Sequence, residues 1–278
     1  MQENLKQYTV DVVIPMGAIP ETWKKCVGGI INQTIKPQNV FIVCNNGVMP
    51  ENVKLPEDVS HPINFHVIDL NKYNNANVAR NYGVEISNSE FIAFLDSDDW
   101  WEVTHIESSL LELKRTESDF IYSGLNVWTK EAVRSVRAFD YRELRNMETY
   151  LIRKNAAQTS SYVLKRNAAR AVLWNEKLKR HQDYDFLARF SQQFNIQYLN
   201  KQNVNRYSKP STSKIPHLKD AFWLLTSWQG QVSTKDWMMH YSYLLKRAVI
   251  QLEFRNVVYG GYSGFAYLGK RLTSTIRK

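Results

Sequence analysis

Three carboxylates, Asp96, Asp98 and Asp99, follow directly on the apolar run Phe91 to Leu95 in the segment FIAFLDSDDWW at positions 91–101. Carboxylates crowded in this way repel one another unless a cation sits among them. An oxygen-only donor set with few protein ligands suits Mg²⁺ or Mn²⁺ that shares its shell with water and a diphosphate. A DxD triplet taken alone is more often a helix cap or a solvated turn, so its weight comes from its place at the carboxyl end of a buried strand. Two tryptophans, Trp100 and Trp101, stand next to it, and His181 opens a second acidic segment, HQDYDFLARF at 181–190.

The elements that must position these residues follow from periodicity. Short β-rich runs at Thr9 to Pro15, Val40 to Cys44, Ile63 to Leu70 and Phe91 to Leu95 read as strands. Helical faces recur at Glu21 to Gln33 and Asn74 to Ser87. Strand and helix alternate, which predicts an α/β fold with a mostly parallel central sheet flanked by helices. Ligands bind such sheets at the carboxyl ends of the strands, here the segments starting at Pro15, Asn45, Asp69 and Asp96. Further on, a helix is expected at Glu102 to Arg115, strands at Asp119 to Tyr122 and Thr159 to Leu164, and a helix from His181 to Phe194. Pro210 and Pro216 flank a polar run that divides a domain over 1–210 from a helical extension over 211–278.

Several chemistries are excluded by pattern. GxGxxG, GxxxxGK[ST] and GxSxG are missing, which argues against dinucleotide oxidoreductases, P-loop hydrolases and serine hydrolases. No histidines have zinc-ligand spacing, and Cys26 and Cys44 form no CxxC, so neither structural zinc nor a disulfide framework is expected. The polar N-terminus, the scarcity of cysteine and the lack of an 18-residue apolar stretch point to a cytoplasmic protein.

Of the net charge of +9, seven positive charges lie from Lys214 onward, where ten basic residues face three acidic ones. Aromatic residues are interleaved there, among them Phe222, Trp223, Trp228, Trp237, Tyr241 and Tyr243. That composition suits amphipathic helices at an anionic membrane surface. It equally suits ordinary helices with packed aromatic faces and solvated charged ones. No helix-turn-helix, RNP or zinc-finger pattern supports nucleic-acid binding.

Taken in order, VVIP at 12–15, INQT at 31–34, ARNYG at 79–83, FIAFLDSDDWW at 91–101 and HQDYDFLARF at 181–190 resemble the landmarks of the family 2 glycosyltransferases. The resemblance covers roughly residues 8 to 200. It implies the GT-A fold and an inverting enzyme using a nucleotide-sugar donor, with Mn²⁺ or Mg²⁺ as cofactor. By resemblance, Asp96 approaches the donor ribose or the metal shell, Asp98 coordinates the metal, Asp99 caps the next helix, and Arg80 contacts the nucleotide. Pro15 and Asn45 border the nucleobase, where an amide oxygen can accept from uracil N3–H. Asp183 matches the general base that takes the acceptor's proton. Asp185, about 200° further round the helix, reads as structural. Trp100, Trp101, Thr159, Ser160, Ser161 and His181 are the acceptor-side candidates, with the tryptophans equally readable as core.

Departures from the family pattern are Gln182, where a Glu is usual, Asn45 in place of an Asp, and Met16-Gly17-Ala18 in place of an Asn-bearing turn. The implied function is metal-dependent, inverting transfer from a UDP-sugar to a hydroxyl of a lipid-linked glycan acceptor. The context would be bacterial O-antigen, capsule or lipopolysaccharide synthesis, peripheral at the cytoplasmic face of the inner membrane. A nucleotidyltransferase on a related scaffold and a non-catalytic binding module are the alternatives.

Overall fold

A computed structural model describes residues 7–56, 63–154, 157–208 and 218–250, together with 258, 260, 261 and 264. The first half alternates as the periodicity predicts: β1 (Val10–Met16), α1 (Trp23–Ile31), β2 (Asn39–Cys44), β3 (Asn64–Asp69), α2 (Ala76–Ile86) and β4 (Phe91–Phe94). The second half contributes β5 (Asp99–Trp101), α3 (His105–Thr116), β6 (Phe120–Trp128), β7 (Val133–Val136), α4 (Met147–Lys154), β8 (Val163–Lys165), α5 (Arg166–Val172), α6 (Gln182–Ser191) and β9 (Ile196–Tyr207). Two helices follow, α7 (Leu218–Ser227) and α8 (Thr234–Ile250).

The strands form one sheet in the order β3-β2-β1-β4-β8-β6-β9-β5, with β7 added to β6. The first four strands pair in parallel. From β8 onward the pairing is mixed: β8 runs antiparallel to both β4 and β6, β9 is parallel to β6, and β5 is antiparallel to β9. The predicted strand at Thr159 to Leu164 is a single 3-10 turn at Thr159–Ser161 followed by the three residues of β8.

Side-chain alternation divides the core. Val10, Val12, Ile14 and Met16 of β1 pack with α1 and α3, whereas Val13 faces the layer built from α2, α4, α5 and α6. Here α2 lies directly on β1, and a Cβ added at Gly83 would stand 2.4 Å from Val13 Cγ1. Gly83→Ala is therefore expected to lower unfolding free energy by about 1–3 kcal/mol despite alanine's better helix propensity, measured by urea denaturation.

Not every buried carboxylate belongs to the ligand edge. Asp11 sits at the opposite end of β1, fully buried, accepting from Ser87, Asn88, Ser89 and Asn39. Burial pushes its carboxyl up, but the hydrogen bonds from Ser87, Asn39 and Ser89 outweigh this and hold it below the ordinary value. Gln33 of INQT is likewise structural: its amide donates to Gly29 O at 2.8 Å and Glu102 O at 2.7 Å, and its Oε1 accepts from Ile106 N at 2.9 Å.

The C-terminal helices close on the same body. Leu224 and Trp228 enter the core beside α4 and α6, and Arg153 of α4 forms a two-pronged ion pair with Asp236 of α8 at 2.8 and 3.0 Å. Of the aromatics expected at a membrane surface, Phe222, Trp228 and Trp237 are buried, while Trp223 and Tyr243 are exposed. The predicted boundary at 210–216 lies outside the described residues, as does most of the chain beyond 250. Among the described residues no helix is long and apolar enough to cross a membrane.

Candidate active site

The buried strand β4 delivers Asp96 to the sheet edge, and the chain turns back at once, with Asp99 N–H donating to Asp96 O at 3.0 Å. It returns as β5, registering Asp99, Trp100 and Trp101 against Arg206, Asn205 and Val204 of β9. Asp99 is therefore a strand residue and caps no helix; Thr104 occupies that position before α3. The Asp99 carboxyl is buried and lies 2.6 Å from Ser160 Oγ, which in turn accepts the Asp96 N–H at 3.1 Å. Burial, reinforced by the like charges of Asp96 and Asp98, pushes the Asp99 carboxyl well above the carboxylate range, and its Oδ1 has no partner. Held by Ser160, Asp99 braces the turn that carries Asp96.

Arg80 projects from α2 to the same place. It is 5% exposed, its Nη2 meets Asp96 Oδ1 at 2.7 Å, its Nη1 donates to Asn77 Oδ1 at 3.2 Å, and its guanidinium lies 4.6 Å from the Trp174 ring centroid. The sequence-derived nucleotide contact is thus a buried guanidinium already committed to Asp96.

Lining the same cavity, α6 begins at Gln182. Its first turn carries Asp183, partly exposed, with Oδ1 accepting from Tyr184 N at 3.0 Å. Burial lifts the Asp183 carboxyl from 3.8 to about 6, opposed by the Tyr184 N–H and Arg80 and assisted by Asp96. The lift comes from desolvation, so a glutamate at 182 is not needed to produce it; Gln182 turns back to donate to Leu178 O at 3.2 Å. Asp185 is structural as expected, holding Arg189 through Oδ2 at 2.6 and 2.9 Å. His181 stands just before α6 with a left-handed backbone, φ 54°, edge-on to Tyr184. Burial, with Arg180 and His240 nearby, lowers it to about 4, so its imidazole is neutral at physiological pH.

Asp96, Arg80, Thr159, His181 and Asp183 line one polar cavity of about 310 Å³, together with Gln158, Lys179, Arg180, Gln182, Tyr184 and Arg206. The two tryptophans do not join it. Trp100 packs against Trp128, with Lys25 Nζ 4.8 Å from its ring, and Trp101 is buried, stacked on His105 and donating from Nε1 to Ser160 O at 2.6 Å. Trp101 is a core residue, whereas Trp100 is half-buried against Trp128. Ser160 and Ser161 are buried as well.

At the carboxyl end of β1, Pro15 is buried and registered with Val43, and the strand continues through Met16. Asn46 and Gly47 take left-handed backbone and make the turn after β2. Asn45 is buried beside Gly17, and its Oδ1 has no hydrogen-bond partner. Asp69 caps its own turn by accepting from Asn71 N at 2.9 Å.

Among the described residues no three His, Cys, Asp or Glu side chains converge as a metal cage. Two hard-oxygen donors are present: Asp96, whose side chain is 37% exposed, and Asp98 on the turn beyond it. Carboxylate donors of this kind suit an ion that keeps water and phosphate oxygens in its shell, not a closed site, and only Asp96 of the two lines the cavity.

A family model described as glycosyl transferase family 2 matches residues 11–173, more than half of the chain. The chain belongs to glycosyl transferase family 2. Among curated relatives, the amylovoran biosynthesis glycosyltransferase AmsB of Erwinia amylovora is 30% identical over 198 residues, 66% of this chain and 64% of AmsB. The putative teichuronic acid biosynthesis glycosyltransferase TuaG of Bacillus subtilis is 25% identical over 124 residues, 44% of this chain and 48% of TuaG. The chain thus spans less than two thirds of either relative. In fold, this family 2 chain is similar to S. aureus TarS residues 1–349 in a crystal structure with UDP-GlcNAc. The TM-score is 0.62 at 14% identity, covering 86% of this chain and 72% of TarS 1–349.

Residues lining this cavity from outside the landmark motifs, which sequence reasoning missed, are Gln158, Lys179, Arg180 and Arg206. None stands in a motif; their common signal is nearness in sequence to Thr159 and His181, or register with Asp99.

Proposed function

We propose that the chain is an inverting, metal-dependent glycosyltransferase that moves a sugar from a UDP-sugar to a hydroxyl of a glycan acceptor. The observation that carries this reading is the cavity itself, lined by both a carboxyl at about 6 and the Arg80–Asp96 pair. As the acceptor oxygen attacks the anomeric carbon, the Asp183 carboxylate takes the hydroxyl proton, the new C–O bond forms, and the bond to the diphosphate breaks with its electrons leaving on the nucleotide. Desolvation makes Asp183 a stronger base than an ordinary carboxylate while leaving it ionised at neutral pH. Arg80, and Asp99 through Ser160, hold Asp96 towards the donor ribose. Mg²⁺ or Mn²⁺, held by Asp98 and Asp96, would supply Lewis-acid stabilisation of the leaving diphosphate. Asn45, with its unspent acceptor, reads the uracil N3–H.

UDP as the nucleotide is supported by the complex of TarS with UDP-GlcNAc, and a surface polysaccharide as the product by the names of AmsB and TuaG. A lipid-linked acceptor at the cytoplasmic face of the inner membrane is supported by the outer face of α8, where Lys235 and Lys246 accompany exposed Met238, Met239, Tyr243, Val249 and Ile250.

The test is thermal unfolding with UDP, GDP, CMP and dTDP, each with and without Mn²⁺. UDP with Mn²⁺ at a hundred times its Kd is expected to add about 2.7 kcal/mol, a rise in Tm of several degrees, and UDP without the metal much less. No stabilisation by any nucleotide would favour a non-catalytic module on this fold.

A further inference from the structure

We infer that Lys179 and Arg180 form an anion subsite on the acceptor side of the cavity, so that the acceptor carries a phosphate or carboxylate beside the hydroxyl that receives the sugar. The inference rests on the transferase reading above and adds a substrate class to it.

The cavity is lined by four cations, Arg80, Lys179, Arg180 and Arg206, against two carboxylates, Asp96 and Asp183. Arg80 is committed to Asp96 at 2.7 Å. Arg206 donates to the neutral Gln158 Oε1 at 3.0 Å. Lys179 and Arg180 are exposed, and neither side chain enters an ion pair among the described residues.

One carboxylate lies against their backbone. Asp220 of α7 accepts the N–H groups of both residues through Oδ2, at 2.9 and 3.0 Å. The same segment is tied to α2, because Asn77 Nδ2 donates to Asn175 O at 2.7 Å and to Leu178 O at 3.2 Å. Two adjacent cations are thus presented from a fixed backbone, with no side-chain ion pair among the described residues. In a protein that gains nothing from like charges at close range, this arrangement points to an anionic ligand.

Which substrate brings the anion follows from the displacement geometry. An inverting reaction places the base and the leaving group on opposite faces of the anomeric carbon. Lys179 and Arg180 precede the base, Asp183, by only four and three residues, whereas Arg206 is registered with Asp99 next to the Asp96 turn. Arg206 therefore belongs to the diphosphate side and the Lys179–Arg180 pair to the acceptor side.

The full chain carrying Lys179→Ala and Arg180→Ala together tests this. Calorimetric UDP affinity in Mn²⁺ is expected within twofold of the parent; a tenfold loss would assign the pair to the donor diphosphate and overturn the inference. Three anionic probes are then titrated into the UDP-loaded protein: tetragalacturonate for carboxylates, a glycerol-phosphate hexamer for phosphodiesters, and a polyprenyl diphosphate in phosphatidylcholine vesicles for a lipid headgroup. Maltotetraose and plain phosphatidylcholine vesicles serve as neutral controls. At least one anionic probe is expected to bind where its control does not, to lose tenfold or more in the double alanine variant, and to be retained by the charge-preserving pair Lys179→Arg and Arg180→Lys. The probe that binds names the source of the anion. Equal binding by parent and double alanine variant, or no anionic probe exceeding its control, would overturn the inference while leaving UDP binding, and with it the transferase reading, intact. A parent protein that binds no UDP would remove both.

Discussion

Asp183→Asn is expected to lower kcat by about a thousandfold while leaving UDP affinity nearly unchanged, because the amide keeps the shape of the side chain but cannot take the acceptor's proton. Its pH behaviour separates this role from a structural one. With a carboxyl at about 6, the parent's rate should fall tenfold per unit below that pH and level off above it, and the residual rate of the variant should lack that limb. Stability should move the other way. A carboxyl raised from 3.8 to about 6 on folding contributes stability that is fully present below 3.8 and lost as pH rises through 6. The substituted amide does not ionise, so the variant is expected to be about 1–2 kcal/mol more stable than the parent at pH 8 and to have no advantage at pH 3.5, the full two-unit shift being discounted for partial exposure. A variant that is inactive and also less stable at pH 8 would show that Asp183 holds the fold instead.

Arg80→Ala is expected to damage both fold and site. The substitution removes a buried guanidinium from above Trp174 and leaves Asp96 uncompensated beside Asp98 and Asp99. A loss of about 2–4 kcal/mol is expected, below the full value for a buried pair because Asp96 is partly open to solvent. The chemistry supplies a second readout. Arg80 lowers the Asp183 carboxyl, so its removal should move the acid limb of the rate profile above 6, whereas Arg80→Lys should restore much of the original position. An unmoved limb in an active Arg80 variant would mean that the guanidinium does not act on Asp183. These two variants also distinguish positioning from contact: if Arg80 chiefly binds nucleotide, UDP affinity falls without a shift of the limb.

How far these residues can be read before folding depends on the range of the interaction involved. The alternation of β1 to β4 with α1 and α2 is legible because each element declares itself within ten or so residues, by an apolar run or a helical face. Asp96 at the end of β4, Asp183 in the first turn of α6 and the structural pairing of Asp185 with Arg189 follow from the same local patterns and from the family landmarks. The family itself is carried by motifs spread over the chain, and the match over 11–173 agrees.

Beyond that, local pattern runs out. A strand of three residues has no period to detect, so β5 reads as the approach to a helix, and the directions of Asp99, Trp100 and Trp101 are decided by pairing with β9 a hundred residues later. Trp100 and Trp101 are turned away from the cavity by that register and by α1, where Gly29 lets the helix backbone approach so closely that an added Cβ would lie 2.9 Å from Trp101 N. The partner of Arg80 is likewise set by tertiary packing: α2 crosses β1 at Gly83, which brings the guanidinium to Asp96 across 16 residues.

By itself, then, the sequence determined the elements, the family and which carboxylates reach the ligand edge, because these depend on short-range periodicity and on motif identity. Only the tertiary structure decided which charges neutralise one another and which remain facing the cavity. Arg80 is taken by Asp96, the Asp99 carboxyl is pushed up by burial, and Lys179 and Arg180 stay without an ion pair among the described residues. Electrostatic energy depends on distance and burial in space, and neither is written in the spacing of residues along a chain.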